Sequence, residues 1–295
     1  MRRSYGCDGI GVECRALGAA TGYPAGYGAG PAGPAAPDTG GDVRSCSAVV
    51  LSIRHRKAFS GVVITRPARP CSRSGRAVTW LYLEVNVSEV VDAIGAARLL
   101  PVVVLNDAAQ AAPLGAAIVA GGLRSVEVTF RTDAAEAAIR TLAHEPDLMV
   151  GAGTVLTVDQ VDRAVAAGAR FVVSPGFGPS VVRRCQELGI AVFPGVATST
   201  EIQMALDAGL DTVKFFPAEQ LGGARMVKAL AAPYRALKFI PTGGVTSANL
   251  RDYLAIDAVL AVGGTWMVAA DLLRAERWSE VTRLTAEAVN VAGAR

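Results

Sequence analysis

From about residue 85 onward, short apolar runs alternate with longer amphipathic stretches. Stretches with helical spacing lie between the runs, for example 133–142 and 159–168, and Ala-Gly pairs at 120–121, 167–168 and 208–209 suit helix C-termini. Strands that alternate with helices indicate a parallel sheet. The eight apolar runs are 100–105, 125–130, 148–151, 170–174, 190–194, 212–216, 237–241 and 258–262.

Eight strand–helix units within about 200 residues fit a closed (β/α)8 TIM barrel. The alternative is an open, doubly wound sheet, but no G-x-G-x-x-G sequence follows the first run. We therefore predict an α/β chain with a barrel over residues 83–295. Active sites of such barrels lie at the carboxyl ends of the strands.

Residues 1–82 have a different composition. The tract 17–41 is rich in Gly, Ala and Pro, and residues 1–80 contain eleven Arg or Lys against four Asp or Glu. Such a segment lacks the apolar periodicity needed to repay its ordering entropy. A basic arm that binds nucleic acid is the alternative interpretation of 54–57. We favour a disordered N-terminal extension and expect no nucleic-acid partner.

The cysteines and the longest apolar runs bear on the location of the protein. Four of the five cysteines (Cys7, Cys14, Cys46 and Cys71) precede the regular part, and only Cys185 lies within it, so no disulfide framework is expected. No apolar run approaches the roughly 18 residues of a membrane span, and no apolar stretch typical of a signal peptide follows Met1. We therefore predict a cytoplasmic protein with no membrane partner.

Lys214 lies within the apolar run 212–216, between Val213 and Phe215. A charged lysine among apolar side chains is costly, and desolvation favours its neutral amine. A neutral amine is a nucleophile that forms Schiff bases with carbonyl substrates. The alternative is a lysine whose stem packs in the core while its ammonium group reaches water.

Polar residues and glycines recur where the other predicted strands end. Glu127, Thr129 and Arg131 share one face of the second strand by alternation. A buried carboxylate is rarely unpaired, so Glu127 is expected to pair with Lys214 or Arg131. Glycine pairs at 243–244 and 263–264 suit a close backbone approach to an anion, and a phosphate site often follows the last two strands of a barrel.

Histidine is informative because it is scarce. The chain contains only His55 and His144, so neither a zinc site with several histidine ligands nor a Ser-His-Asp triad can be assembled. Proton transfer then falls to carboxylates or water, and Glu127 is the best-placed carboxylate. No metal ligands and no cofactor are predicted.

Six segments in the regular part of the chain carry specific residue patterns, namely 126–132 (VEVTFRT), 150–155 (VGAGTV), 174–176 (SPG), 213–219 (VKFFPAE), 241–244 (PTGG) and 263–266 (GGTW). Together they resemble one enzyme family, the class I 2-keto-3-deoxy-6-phosphogluconate (KDPG)/4-hydroxy-2-oxoglutarate (KHG) aldolases. The resemblance runs from about Ser88 to the C-terminus, and the run Lys-Phe-Phe-Pro-Ala-Glu is its most specific part. Nothing in residues 1–80 resembles the family.

The resemblance implies a role for each matched position. Lys214 would form the Schiff base, Glu127 would be the general acid and base, and Arg131 with Thr154 would hold the carboxylate of the pyruvyl part. The family usually has Ser where this chain has Thr265, which keeps a hydroxyl but narrows the pocket. The remaining substrate-binding positions would be Pro175, Phe216, Thr242, Gly243, Gly244, Gly263 and Gly264.

The resemblance also implies the reaction. We expect cleavage of KDPG to pyruvate and glyceraldehyde 3-phosphate by a homotrimer that needs no metal. A KHG aldolase, which releases pyruvate and glyoxylate, or an aldolase for a related 2-keto-3-deoxy acid is the alternative within the same class. Outside it, a barrel that only binds a phosphorylated ligand remains open.

Overall fold

The computed structural model describes residues 87–293, so the predicted extension and its boundary at residue 82 lie outside the described part. Within that part, the described elements comprise ten α-helices and nine strands, and every strand pair is parallel. The strands are β1 (Leu99–Val103), β2 (Ser125–Thr129), β3 (Met149–Gly153), β4 (Phe171–Val173), β5 (Ala191–Phe193), β6 (Gly195–Val196), β7 (Thr212–Phe215), β8 (Lys238–Pro241) and β9 (Val262–Gly264). The helices are α1 (Val87–Ala97), α2 (Ala111–Ala120), α3 (Ala135–Leu142), α4 (Val158–Ala166), α5 (Pro179–Glu187), α6 (Ser199–Asp207), α7 (Gly223–Ala231), α8 (Leu250–Leu254), α9 (Ala270–Arg274) and α10 (Trp278–Gly293).

The strands form a six-stranded sheet in the order β5-β4-β3-β2-β1-β9 and a three-stranded sheet in the order β6-β7-β8. Strand β1 is buried along its whole length and carries apolar residues on both faces, as expected where helices cover a parallel sheet. Strand β2 is equally buried, but Ser125, Glu127 and Thr129 make one of its faces polar. Leu100 of β1, Phe171 of β4 and Ile240 of β8 pack in one cluster. Flat strands about 4.8 Å apart would keep these residues well separated, so the parallel sheet is curled.

Two of the eight predicted runs differ from the observed strands. The fifth run, 190–194, contains only β5, which ends before Pro194, a residue with no N–H group to continue a ladder; the chain becomes extended again as β6, beyond the predicted run. The eighth strand begins at Val262 rather than at residue 258, although Val259 makes an isolated bridge with Phe239. Gly263 and Gly264 continue this strand, and a search for apolar runs overlooks glycine.

The predicted helix ends are also placed by the structure. Gly168 and Gly209 have φ angles of +101° and +75° just after α4 and α6, as the Ala-Gly pairs predicted. At the first pair, Gly121 keeps an ordinary helical φ of −78°, and Gly122 takes the left-handed conformation instead. Gly121 is needed for a different reason, because a Cβ atom there would lie 2.5 Å from Cβ of Thr285 in α10.

Helix α1 packs against the inner face of the curled sheet near the amino ends of the strands. Its fully buried Val90 and Ile94 join Phe171 and Phe193, whose ring centroids are 6.0 Å apart. Lys238, the first residue of β8, lies in a groove with residues of α1. The amino end of the strands is therefore filled by apolar packing.

Candidate active site

Lys214 and Glu127 form a buried ion pair between β7 and β2. The Nζ atom of Lys214 lies 3.2 Å from Oε1 of Glu127, and the two residues are only 5% and 1% exposed. The Nζ atom also lies 5.3 Å from the ring centroid of Phe216. A carboxylate at this distance can accept a proton from the ammonium group, and the neutral amine that results is a nucleophile.

The backbone of β3 leaves room for the Glu127 side chain. Glu127 pairs in register with Gly151, and the next residue on the same face of β3 is Gly153. A Cβ atom at Gly153 would lie 2.1 Å from Oε1 of Glu127, which is far closer than any real contact. Gly153 therefore keeps open the volume that the carboxylate occupies beside Lys214.

A cavity of about 210 Å³ opens beside this pair at the carboxyl ends of the strands. It draws side chains from several strands and from the loops that follow them. The lining residues are Val102, Val104, Glu127, Thr129, Arg131, Thr154, Lys214, Phe216, Thr242, Gly243, Gly244, Val245, Gly263, Gly264 and Thr265.

Arg131 and Thr154 bring polar groups to the same cavity. The guanidinium group of Arg131 is exposed, and within residues 87–293 it makes no ion pair or hydrogen bond. An unpaired arginine that lines a cavity suits a carboxylate or phosphate ligand, which it can bind through two parallel hydrogen bonds. Thr154 has a φ angle of +55°, a strained conformation for a residue with a Cβ atom, and such strain is concentrated at functional sites.

The two glycine pairs also line the cavity, one just after β8 and the other at the end of β9. Gly243 and Gly244 have φ angles of +102° and +79°, which glycine adopts without strain. In the described part of the chain, no acceptor is found for the backbone N–H of Gly244. A Cβ atom at Gly263 would lie 2.2 Å from Oγ1 of Thr242, so Gly263 leaves space for that buried hydroxyl. These features together form a surface on which backbone N–H groups can approach an anion.

The profile of the aldolase family described as "KDPG and KHG aldolase" matches residues 90–284, about two thirds of the chain. The chain belongs to the KDPG and KHG aldolase family.

Individual aldolases of this family are similar to this chain over nearly their whole length. The 2-dehydro-3-deoxy-phosphogluconate aldolase of Treponema pallidum is 49% identical over 205 residues, which cover 69% of this chain and 98% of that protein. The KHG/KDPG aldolase of Escherichia coli K12 is 44% identical over 192 residues, covering 65% of this chain and 90% of that protein. A crystal structure of the KDPG aldolase of Legionella pneumophila, with pyruvate captured as a covalent carbinolamine intermediate, is 39% identical and superposes with a TM-score of 0.65 over 66% of this chain and 96% of that one.

The structure brings together eleven of the twelve residues that the sequence and the aldolase resemblance predict for the site. All of them except Pro175 line the cavity. The carbonyl of Pro175 instead packs against β6, where a Cβ atom at Gly195 would lie 2.1 Å from it. Its predicted contact with substrate stays a prediction.

Four lining residues are absent from the predicted set, namely Val102, Val104, Thr129 and Val245. Thr129 was placed on the face of Glu127 by alternation, and it lines the cavity while its hydroxyl donates to the carbonyl of Val103 at 3.0 Å. Val102 and Val104 come from an uninterrupted apolar run, in which nothing distinguishes one face from the other. The pairing of Val102 with Glu127 in the sheet is what places Val102 at the cavity, and this register is known only from the structure.

Other reactive groups lie outside this cavity. Burial raises the pKa of Cys185 to about 12, so its thiol stays protonated at neutral pH. Among residues 87–293, no three His, Cys, Asp or Glu side chains come together as a metal site would require. The same residues contain no helix whose length and apolarity would let it cross a membrane.

Proposed function

We propose that the protein is a class I aldolase that cleaves KDPG to pyruvate and glyceraldehyde 3-phosphate. The observation that carries the proposal is the buried Lys214–Glu127 pair in a cavity that also contains two glycine-rich strand ends and Arg131, whose guanidinium group has no partner within residues 87–293. Family membership supports the same reaction, because relatives over 40% identical are named 2-dehydro-3-deoxy-phosphogluconate aldolases.

The mechanism begins with transfer of a proton from Lys214 to Glu127, which lie 3.2 Å apart. The neutral amine attacks the C2 ketone, and Glu127 returns a proton as the carbinolamine loses water to form an iminium ion. Glu127, again a carboxylate, takes the proton of the C4 hydroxyl while the electron pair of the C3–C4 bond moves to the iminium and the aldehyde leaves. Glu127 then returns this proton to C3 of the enamine, and hydrolysis of the resulting iminium releases pyruvate and frees Lys214.

The two ends of the cavity suit the two ends of this substrate. Arg131 and Thr154 are assigned to the carboxylate next to the ketone, since Arg131 offers a guanidinium group with no partner of its own among the described residues. Gly243, Gly244, Gly263 and Gly264 are assigned to the phosphate, together with the hydroxyls of Thr242 and Thr265. Binding energy from the phosphate can then lower the barrier at the distant reacting centre.

A second candidate is KHG, which the family description also names. Thr265 supports KHG as a substrate, because its methyl group narrows the cavity at a position where the resemblance implies a serine. KHG lacks a phosphate, so it would leave the glycine-rich end of the cavity without an anionic ligand.

A substrate panel tests the choice. We expect kcat/KM for KDPG to exceed that for KHG, and borohydride with pyruvate to label Lys214. Replacement of Gly244 by Val should reduce kcat/KM for KDPG more than for KHG, because a Cβ atom there would lie 2.6 Å from Cβ of Glu219. Equal losses on the two substrates in Gly244→Val would argue that this end of the cavity does not bind phosphate and would favour KHG. Absence of labelling together with absence of turnover would leave only a ligand-binding role.

We also propose that the two sheets form one (β/α)8 barrel. The supporting features are the short break between β5 and β6 at Pro194 and the isolated bridges Phe239–Val259 and Thr242–Gly263 between the neighbourhoods of β8 and β9. Counting β5 and β6 as one bent strand gives eight strands between residues 87 and 293. A crystal structure with a continuous ring of parallel strands would establish the closure.

The oligomeric state and the cellular location of the protein are also part of the proposal. We propose a homotrimer on the basis of the family resemblance, and the 60% exposed Leu156 beside the 38% exposed Val158 offers an apolar surface close to Thr154. Sedimentation equilibrium measures the mass of the assembly directly. The cytoplasmic location is a prediction from the sequence, and cell fractionation tests it.

A further inference from the structure

The loops that follow β7 and β8 are joined by backbone hydrogen bonds. The N–H of Ala218 donates to the carbonyl of Thr242 at 2.9 Å, and the N–H of Glu219 donates to the carbonyl of Gly243 at 3.0 Å. From the other side, Nδ2 of Asn249 donates to the carbonyl of Gly244 at 3.3 Å. Three successive carbonyls are thus held by donors of the protein, while the N–H of Gly244 faces no acceptor in the part of the chain that the structure describes.

The side chain of Glu219 is exposed, but it has a fixed partner. The fully buried Tyr253 of α8 donates its phenolic O–H to Oε1 of Glu219. Burial, and after it the hydrogen bond to the Glu219 carboxylate, raise the pKa of Tyr253, so the phenol keeps the proton that it donates. The loop after β7 is therefore connected to α8 by a charge-assisted hydrogen bond.

The aliphatic part of Glu219 supports the backbone of Gly244. A Cβ atom built at Gly244 would lie 2.6 Å from Cβ of Glu219 and 2.7 Å from its Cγ. On the other side of the carboxylate, a Cβ atom at Gly223 would lie 3.0 Å from Oε1 of Glu219 and 3.4 Å from the Tyr253 hydroxyl. Two glycines with positive φ angles, +79° and +62°, thus enclose this side chain.

We infer that Glu219 and Tyr253 are positioning residues for the anion-binding end of the cavity. They hold Gly243 and Gly244 in the conformation that presents backbone N–H groups to the phosphate, and the inference rests on the proposed function. Direct contact with the phosphate is a poor alternative, because an ionised carboxylate only accepts hydrogen bonds and would repel an anion. Glu219 acts through Gly244 instead.

The connection also relates the two ends of the substrate. Glu219 follows Lys214 by five residues on the same strand and loop, and Lys214 pairs in register with Ile240 of β8. A shift of the Gly243–Gly244 backbone would therefore change the distance between the phosphate site and the reacting amine. Small errors in such a distance are costly, because binding energy at a remote group is useful only when the reacting atoms are correctly placed.

The test uses three variants of the full chain with one matched control. Tyr253→Phe removes the hydroxyl, Glu219→Ala removes both the acceptor and the aliphatic support, and Glu219→Gln keeps the shape and a carbonyl acceptor. Tyr234→Phe is the control, because its hydroxyl donates only a long, exposed hydrogen bond of 3.4 Å to the carbonyl of Ser199. Each protein is assayed for kcat/KM on KDPG and on KHG, and for binding of inorganic phosphate by calorimetry.

We expect Tyr253→Phe and Glu219→Ala to reduce kcat/KM for KDPG and to weaken phosphate binding by about tenfold each, a typical effect of losing a hydrogen bond to a charged group. In both variants kcat/KM for KHG should stay near that of the unaltered protein. Glu219→Gln should resemble the unaltered protein in kcat/KM for both substrates and in phosphate binding. Equal losses on KDPG and KHG, or a loss in Glu219→Gln as large as in Glu219→Ala, would overturn the inference.

The same measurements separate the two proposals. If the unaltered protein prefers KDPG and binds phosphate, and Tyr253→Phe shows the same preference and the same phosphate affinity, only the positioning role is overturned. If the unaltered protein shows no preference for KDPG yet phosphate binding weakens in the variants, the substrate assignment fails and the positioning role stands. If the unaltered protein binds no phosphate, both proposals are overturned.

Discussion

Lysine residues lie in opposite surroundings at the two ends of the parallel strands. At the carboxyl end, Lys214 of β7 is buried and lies 3.2 Å from Glu127. At the amino end, Lys238 of the neighbouring strand β8 directs its Nζ atom to the carbonyl of Asp257 at 3.1 Å in an exposed setting. Lys238 has a neutral carbonyl beside it, whereas the amine of Lys214 is buried next to a carboxylate, which is a group that can accept a proton. The difference identifies Lys214 as the candidate nucleophile.

Glycines differ between the two ends in a related way. Gly153 and Gly263, at the carboxyl end, leave space for the functional groups of Glu127 and Thr242, which a Cβ atom would approach within 2.1 and 2.2 Å. Gly95, on α1 near the amino end, leaves space for the apolar Leu260, which a Cβ atom would approach within 2.8 Å. Glycine therefore makes room for polar groups where we place the chemistry, and for packing where α1 fills the sheet.

The strongest test of this comparison replaces each lysine in turn. Lys214→Ala should abolish turnover and labelling by pyruvate with borohydride, because no other amine is paired with Glu127 among the described residues. Lys238→Ala, the matched control, should keep both. Mass spectrometry of the labelled peptide locates the modified residue.

The stability of the two lysine variants should differ as well. Lys214→Ala leaves the carboxylate of Glu127 buried without its partner, which costs about 3–5 kcal/mol of folding free energy. Circular dichroism should still show a folded protein with a lower melting temperature. Labelling of a different lysine in folded Lys214→Ala would contradict the assignment.

The next largest effect is expected from Glu127→Gln. The amide keeps the shape of the side chain but cannot carry a proton, so kcat should fall by roughly 10²–10⁴-fold. Glu136→Gln is the control, since Glu136 pairs with Arg140 and Arg163 on the surface. Steady-state kinetics on both substrates measure the change, and near-normal turnover would assign proton transfer to water or to another group.

A smaller loss is expected from Gly153→Ala, which leaves every functional side chain in place. Its Cβ atom would displace the Glu127 carboxylate, and misplacement by about 1 Å can cost on the order of 10²-fold in rate. Gly176→Ala is the control at another strand end, where a Cβ atom meets no heavy atom within 4 Å. Stopped-flow measurement of Schiff-base formation would show the defect, and unchanged kinetics would mean that Glu127 has other productive positions.

Much of this site was predictable because side chains alternate along strands. That rule placed Glu127, Thr129 and Arg131 on one face, and all three line the cavity. The rule gave no information in the run 100–105, where every residue is apolar, so Val102 and Val104 were missed. Pro175 was named from its motif, but its carbonyl packs against β6.

The fold was predictable to a similar extent. The period of strands and helices indicated a parallel α/β architecture, and the curled parallel sheet confirms it. The apolar pattern could not show that Pro194 divides a strand or that Gly263 and Gly264 continue one. Both depend on backbone hydrogen bonds, which hydrophobicity does not report.

The smallest effect is expected from removal of residues 1–82. The family profile begins at residue 90, and among the described residues those that line the cavity run from Val102 to Thr265. A chain that begins at Leu83 should therefore match the full chain in kcat/KM and melting temperature.

A chain that begins at Leu99 provides the contrast, because it also lacks α1. Loss of α1 removes the buried side chains of Val90 and Ile94, and truncation of a buried Ile alone costs about 2–5 kcal/mol, so this shorter chain should not fold. If the chain that begins at Leu83 lost activity while staying folded, residues 1–82 would contribute to the site, and chemistry would no longer be confined to the carboxyl end of the strands.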